Sequence, residues 1–163
     1  MQTNASVIIP ARNESASIAT LVTNLRKLGG IAEVIVVDDG SSDDTGARAA
    51  AAGARVIRHP VSRGNGAAIK TGARAAIGEA LVMMDADGQH RAEDVPLLLA
   101  KLAEGHDLVV GTRSKSAHAN VLRRFANGLY NRLASWLTDQ AIGDLTSGFR
   151  AVRRSIFLDL LPL

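Results

Sequence analysis

With 163 residues, 47% apolar and 21% charged, the chain suits one domain with a sizeable core and an ordinary globular composition. It has no cysteine, which excludes disulfides and thiolate metal sites, and no apolar run approaches the roughly 18 residues of a membrane span. The net charge of +3 hides a division, because residues 1–112 hold 11 Lys/Arg against 13 Asp/Glu whereas residues 113–154 hold 8 against 2. The basic tract suits phosphates, nucleic acid or an anionic membrane surface, and equally a solvated face. The N-terminus lacks the basic segment and long apolar core of a leader, so the expectation is a soluble or peripheral protein of the cytoplasm.

Residues 6–10 read as a short apolar strand closed by Pro10, followed by a polar turn through Arg12, Asn13 and Glu14. Ile18, Leu21, Val22, Leu25 and Leu28 then recur at helical spacing, and Gly29-Gly30 stops that helix. Residues 33–37 form a second buried strand ending in Asp38-Asp39-Gly40-Ser41-Ser42. Asp43 and Asp44 can cap an alanine-rich helix that stops at Gly53. A third strand, residues 55–57, precedes the loop 59–66, and a helix over residues 67–77 leads to a fourth strand at 80–84. Residues 94–103 are helical and residues 107–111 form a fifth strand. Short strands alternating with helices predict an α/β fold, a mostly parallel Rossmann-like sheet flanked by helices on both faces, in one domain. Ligands bind such sheets outside the carboxyl ends of the strands. The polar clusters fall there: Arg12-Asn13-Glu14, Asp38-Asp39, Arg63-Gly64-Asn65-Gly66, Asp85-Ala86-Asp87 and Thr112-Arg113.

The fourth of these clusters carries the most chemistry. In extended chain, residues two apart share a face, so Asp85 and Asp87 project together while Ala86 turns away. Carboxylates that close repel unless a proton or cation lies between them. Mg2+ or Mn2+, which take oxygen ligands and bridge carboxylates to phosphates, suit the pair, with Gln89 a better third ligand than His90. A solvated Asp-Gly turn is the plain alternative. Asp38 and Asp39 face opposite ways; one can accept bonds from a ribose or base while the other holds a loop or caps a helix.

Gly64-Asn65-Gly66 is not a dinucleotide fingerprint, because Ile69 stands at the third glycine position and the run follows the third strand. Arg63 and Lys70 can reach a phosphate or be plain surface. His59, His106 and His118 are scattered without zinc spacing. Residues 119–138 form an amphipathic pattern, with Leu122, Phe125, Leu129, Leu133, Trp136 and Leu137 on one face and Arg123, Arg124 and Arg132 beside it. It reads as a helix packed on the core or as an interfacial helix whose arginines meet lipid phosphates. Residues 143–150 read as a polar turn with donors for an oxyanion. Aromatic content of 3% and the lack of a reading motif argue against nucleic acid.

Val7-Ile8-Ile9-Pro10 with Asn13-Glu14, Val36-Val37-Asp38-Asp39-Gly40-Ser41-Ser42-Asp43, and Met84-Asp85-Ala86-Asp87-Gly88-Gln89-His90 resemble, in order and spacing, family 2 glycosyltransferases. Gly111-Thr112-Arg113 and Ser147-Gly148-Phe149-Arg150 point to the branch similar to dolichyl-phosphate mannosyltransferases and bacterial polyprenyl-phosphate glycosyltransferases. The resemblance runs from about Val7 to Arg154. It implies a GT-A fold, a nucleotide-diphosphate sugar donor of the GDP-mannose or UDP-glucose type, a polyprenyl phosphate acceptor at the membrane surface, and Mg2+ or Mn2+. Carried over by position, Pro10, Ala11, Glu14, Val37 and Asp39 would hold the nucleoside. Asp85, Asp87 and Gln89 would hold metal and diphosphate, with Ala86 lining the nucleotide site. Arg113 would reach the phosphates, and Arg123 with Asn127 would sit near the acceptor phosphate; Asp87, Arg113 and Arg123 are the expected catalytic set. Catalytic domains of the family usually continue past the position of Leu163, so a C-terminally shortened domain is part of the expectation.

Overall fold

The computed structural model describes residues 4–88, 90–111 and 147–161. In chain order the elements are β1 (Ala5–Ala11), α1 (Ile18–Arg26), β2 (Ile31–Asp38), α2 (Thr45–Ala51), β3 (Arg55–Arg58), α3 (Asn65–Ala75), β4 (Ala80–Met83), α4 (Val95–Ala103), β5 (Leu108–Val110), β6 (Arg150–Arg153) and α5 (Arg154–Asp159). The strands form one sheet in the order β3-β2-β1-β4-β6-β5. β1 to β4 are parallel, and β6 runs antiparallel to both of its neighbours, β4 and β5.

The apolar runs in the strands feed two cores, one on each face of the sheet. Val7, Ile9, Val34, Val36, Val82 and Met84 face α1 and α4, whereas Ile8, Ile35, Val37, Leu81 and Met83 face α3. The period of two therefore splits every run between the two layers, which is why the strands read as continuously hydrophobic. Each Ile, Leu or Val so buried contributes about 1.5–3 kcal/mol.

Two elements differ from expectation. The sequence predicts a polar turn through Arg150, but Arg150 opens β6, and Phe149 O extends the ladder by accepting Gly111 N–H at 2.8 Å. The sheet is thus mixed at this end. β4 stops at Met83, so Asp85 and Asp87 lie beyond the regular strand. The switch in strand order falls between β1 and β4, where open α/β sheets leave a crevice at their carboxyl edge. No helix among the described residues is long and apolar enough to cross a membrane.

Candidate functional site

A cleft of about 310 Å³ opens at the carboxyl edge of β1, β2 and β3. Pro10, Ala11, Arg12 and Glu14 form one wall, Ser62, Gly64 and Asn65 the other, and Asp39 lies between them. The first wall is stapled to the turn after β2. Asn13 N–H donates to Ser41 Oγ at 3.0 Å, Ser42 N–H to Asn13 Oδ1 at 2.9 Å, and Glu14 N–H to Thr45 Oγ1 at 2.8 Å. Asn13 adopts φ 57, a left-handed conformation that asparagine tolerates better than most residues.

Asp43 completes the staple and caps α2, accepting the Thr45 hydroxyl, Thr45 N–H at 3.0 Å and Ser15 N–H at 3.3 Å. Asp44, the other expected cap, makes no side-chain cap bond. The Thr45 hydroxyl is the main reason that the Asp43 carboxyl drops from 3.8 to about 2, outweighing its partial desolvation. A folded value below the ordinary one gives stability that is complete above 3.8 and lost as pH falls through about 2. Asp43→Asn should therefore flatten the acid limb of stability in that window. Urea midpoints measured at a series of pH values check this, and an acid limb as steep as that of the unmodified chain would count against the assignment.

Asp39 is the better-bound carboxylate. His59 Nδ1 donates to its Oδ1 at 2.7 Å and Arg63 N–H to the same oxygen at 2.8 Å. The Ser62 hydroxyl and Gly64 N–H donate to Oδ2, each at 2.8 Å. Burial by itself would raise its pKa, but these donors, led by Arg63 N–H, outweigh it and hold the carboxyl well below the usual range. Of the two adjacent acids, Asp39 is thus the loop holder. Asp38 is fully buried, accepts Ser41 N–H at 2.9 Å and lies 3.7 Å from Arg58 Nε.

Beside this cleft, Asp85 and Asp87 follow β4, the strand on the other flank of β1. Asp85 is half-buried with its carboxylate directly over the Cα of Gly148, in the space a side chain at 148 would fill. Asp87 is exposed. Ala86 turns the other way into the core and borders a second groove, of about 410 Å³, with Leu21 and Asn24 of α1 and Arg91. The structure therefore does not bring Ala86 into the cleft of Pro10 and Asp39. Nor does the side chain of Val37 reach it, being fully buried among the residues packed on α3. His90 stacks on Phe149 with ring centroids 4.8 Å apart.

Among the described residues, no group of three His, Cys, Asp or Glu gathers to enclose a metal. Two hard oxygen-donor side chains at an open strand end nevertheless fit Mg2+ or Mn2+, which keep water and phosphate oxygens in the rest of their shell. Gln89, Thr112, Arg113, Arg123, Asn127, Trp136 and Asp144 lie outside the described residues. Sequence reasoning put Gly64 and Asn65 on this edge but gave no part to Ser62, which lines the cleft, or to His59, which donates to Asp39. The available signal was their position directly after β3, on the same sheet edge as the acids.

Comparison with known proteins agrees with this architecture. The family model described as "Glycosyl transferase family 2" matches residues 6–161. An undecaprenyl-phosphate 4-deoxy-4-formamido-L-arabinose transferase of Klebsiella pneumoniae is 36% identical over 161 residues, covering 93% of this chain and 49% of the relative. Glycosyltransferase AglJ of Haloferax volcanii is 35% identical over 158 residues, covering 94% and 52%. The chain thus spans about half the length of these curated relatives. Glucosyl-3-phosphoglycerate synthase of Mycobacterium tuberculosis, solved with Mn2+, UDP-glucose and phosphoglyceric acid, superposes with a TM-score of 0.78 at 30% identity, covering 94% of this chain and 58% of that one. The six-stranded mixed sheet flanked by helices is accordingly a GT-A fold. The chain belongs to glycosyl transferase family 2.

Proposed function

We propose that the chain is the donor-binding core of an inverting glycosyltransferase that moves a sugar from a nucleotide-diphosphate sugar to a polyprenyl or dolichyl phosphate, working peripherally on the cytoplasmic face of a membrane. The observation that carries this reading is the pairing of the Asp85–Asp87 strand end with a pre-formed cleft across the exit of β1. The undecaprenyl-phosphate transferase relative supports the lipid acceptor, and the UDP and UDP-glucose complexes of the mycobacterial neighbour support a uridine donor over a guanosine one.

The nucleoside lies between the walls of Pro10–Glu14 and Ser62–Asn65, both fixed before ligand arrives. Asp85 and Asp87, with Gln89, would hold Mg2+ or Mn2+ beside the donor. Such an ion, when bound, supplies neutralisation of charge on the leaving group. A lipid phosphate is ionised at neutral pH and already nucleophilic, so the chain needs no strong general base and chiefly aligns the in-line attack. Arg113, Arg123 and Asn127 give the acceptor phosphate its charge-assisted and polar contacts. A second reading, transfer to a hydroxyl, is favoured by the phosphoglyceric acid bound to the mycobacterial neighbour. It requires a carboxylate base, for which Asp144 is the candidate.

Incubation with Mn2+, polyprenyl phosphate and a panel of UDP- and GDP-sugars tests the reading, with lipid-linked sugar as the expected product. Asp87→Ala should weaken metal-dependent donor binding by about 100-fold or more, since losing a residue that merely orients a metal ligand costs about 10–100-fold. Unchanged binding would overturn the metal assignment, and donor binding without transfer would leave a binding module. Collapse of turnover in Asp144→Asn with donor binding intact would favour the hydroxyl acceptor.

A further inference from the structure

We infer that His59, backed by Thr71, is a positioning residue for the donor cleft, acting by anchoring the loop 59–64 to Asp39. The inference rests on the nucleotide reading for its functional half and on hydrogen-bond accounting for its structural half. An ionised carboxylate offers about four acceptor sites. At Asp39 all are taken: His59 and Arg63 N–H on Oδ1, Ser62 and Gly64 N–H on Oδ2.

The imidazole state follows from its partners. An ionised Asp39 can only accept, so His59 Nδ1 carries the hydrogen. In the neutral ring Nε2 is then an acceptor, and it receives the Thr71 hydroxyl at 3.0 Å. His59 N–H also donates to Asp38 O at 2.9 Å, which seats the ring beside the end of β2. His59 and Asp39 are each only 5% exposed, so water cannot readily replace a lost partner. The chain Asp39–His59–Thr71 therefore ties the exit of β2 to that of β3 and to α3. Gly64, at φ 88 and ψ 161, turns the anchored loop into α3 so that Asn65 lies on the cleft wall.

Three variants separate the functions of the ring. In His59→Asn the side-chain amide N–H replaces Nδ1–H and keeps the bond to Asp39. In His59→Gln the amide group takes the place of Nε2, retaining reach to Thr71 but losing Asp39. His59→Ala loses both. Hydrogen exchange at the Arg63 and Gly64 amides reads the anchor without ligand, and calorimetric Kd values for UDP and GDP with Mn2+ read the cleft.

The Ala and Gln variants should exchange faster at those two amides and bind nucleotide about tenfold more weakly, whereas Asn should stay within about threefold of the unmodified chain. In turnover, KM for donor should rise with kcat nearly unchanged. Undisturbed exchange in His59→Ala would overturn the anchor, and faster exchange with unchanged Kd would overturn its link to the cleft. Should His59→Ala fail to fold, the Asn–Gln contrast decides alone. If the unmodified chain binds neither nucleotide, the nucleotide reading fails, and the exchange data still decide the anchor.

Discussion

Replacing Gly148 by alanine should leave the sheet folded and deprive the protein of the metal-dependent donor affinity proposed for it. The carboxylate of Asp85 occupies the position that a Cβ at residue 148 would take, so the two cannot coexist. The carboxylate is the movable partner, because the Gly148 backbone is held between Ser147, fully buried, and the β6 ladder that begins at Arg150. Asp85 must swing to another rotamer, taking one of the two oxygen donors away from the strand end. Misplacing a reacting or positioning group by about 1 Å can cost about 100-fold in rate, and a similar loss is expected here in Mn2+-dependent UDP affinity. Calorimetry with and without Mn2+, beside a thermal melt, distinguishes this from unfolding. A folded variant with unaltered Mn2+-dependent affinity would show that Asp85 holds no metal.

The second large effect lies at the opposite pole of the sheet. A Cβ at Gly78 would fall 2.5 Å from Ser6 N, 2.8 Å from Ala5 C and 2.9 Å from Asn4 O. These are backbone atoms of the start of β1, and they cannot rotate aside as a carboxylate can. Gly78 N–H also donates to Ser6 Oγ at 2.9 Å; that hydroxyl donates to Glu33 Oε1 at 2.8 Å, which in turn accepts Ile77 N–H at 2.8 Å. Gly78→Ala must push β4 away from β1 and open this network, and overpacking of this kind costs about 1–3 kcal/mol. The effect should be at the upper end, because Ser6 is fully buried and its hydroxyl would lose a donor. Urea unfolding measures it. A loss below about 0.5 kcal/mol, the range of ordinary surface changes, would mean that the two strands can separate without cost.

The parallel part of the fold was legible because each strand there is a compact apolar run between turn residues, followed by a helix of clear period. β6 was not. Its four residues, Arg150-Ala151-Val152-Arg153, have a charge at each end and too short an apolar centre to signal a strand. Its pairing with β4 spans some seventy positions of sequence, as the register Leu81–Val152 shows. No local pattern encodes such a contact. The site divides in the same way. Asp85, Asp87, Glu14 and Asp39 are acids at strand ends, a position with chemical meaning on the page of the sequence. His59, Ser62 and Thr71 became meaningful only when the chain reversal after β3 laid them on Asp39. Val37 and Ala86, which the resemblance places at the nucleotide, have their side chains packed in the two cores.

The antiparallel insertion of β6 also bears on how the molecule is made. Among the described residues, β5 pairs only with β6, and β6 alone covers the outer edge of β4. During synthesis, a chain that has emerged only through Val110 holds the β3-β2-β1-β4 set, with Ala80-Leu81-Val82-Met83 as an uncharged open edge and β5 without a neighbour. Such an edge invites pairing with other chains until it is covered. The docking of Arg150–Arg153 closes it, and the same event brings Gly148 under Asp85. Edge protection and the seating of Gly148 under Asp85 thus come with the same strand, so a ribosome-bound or truncated chain lacking that strand would be sticky and would lose that packing as well.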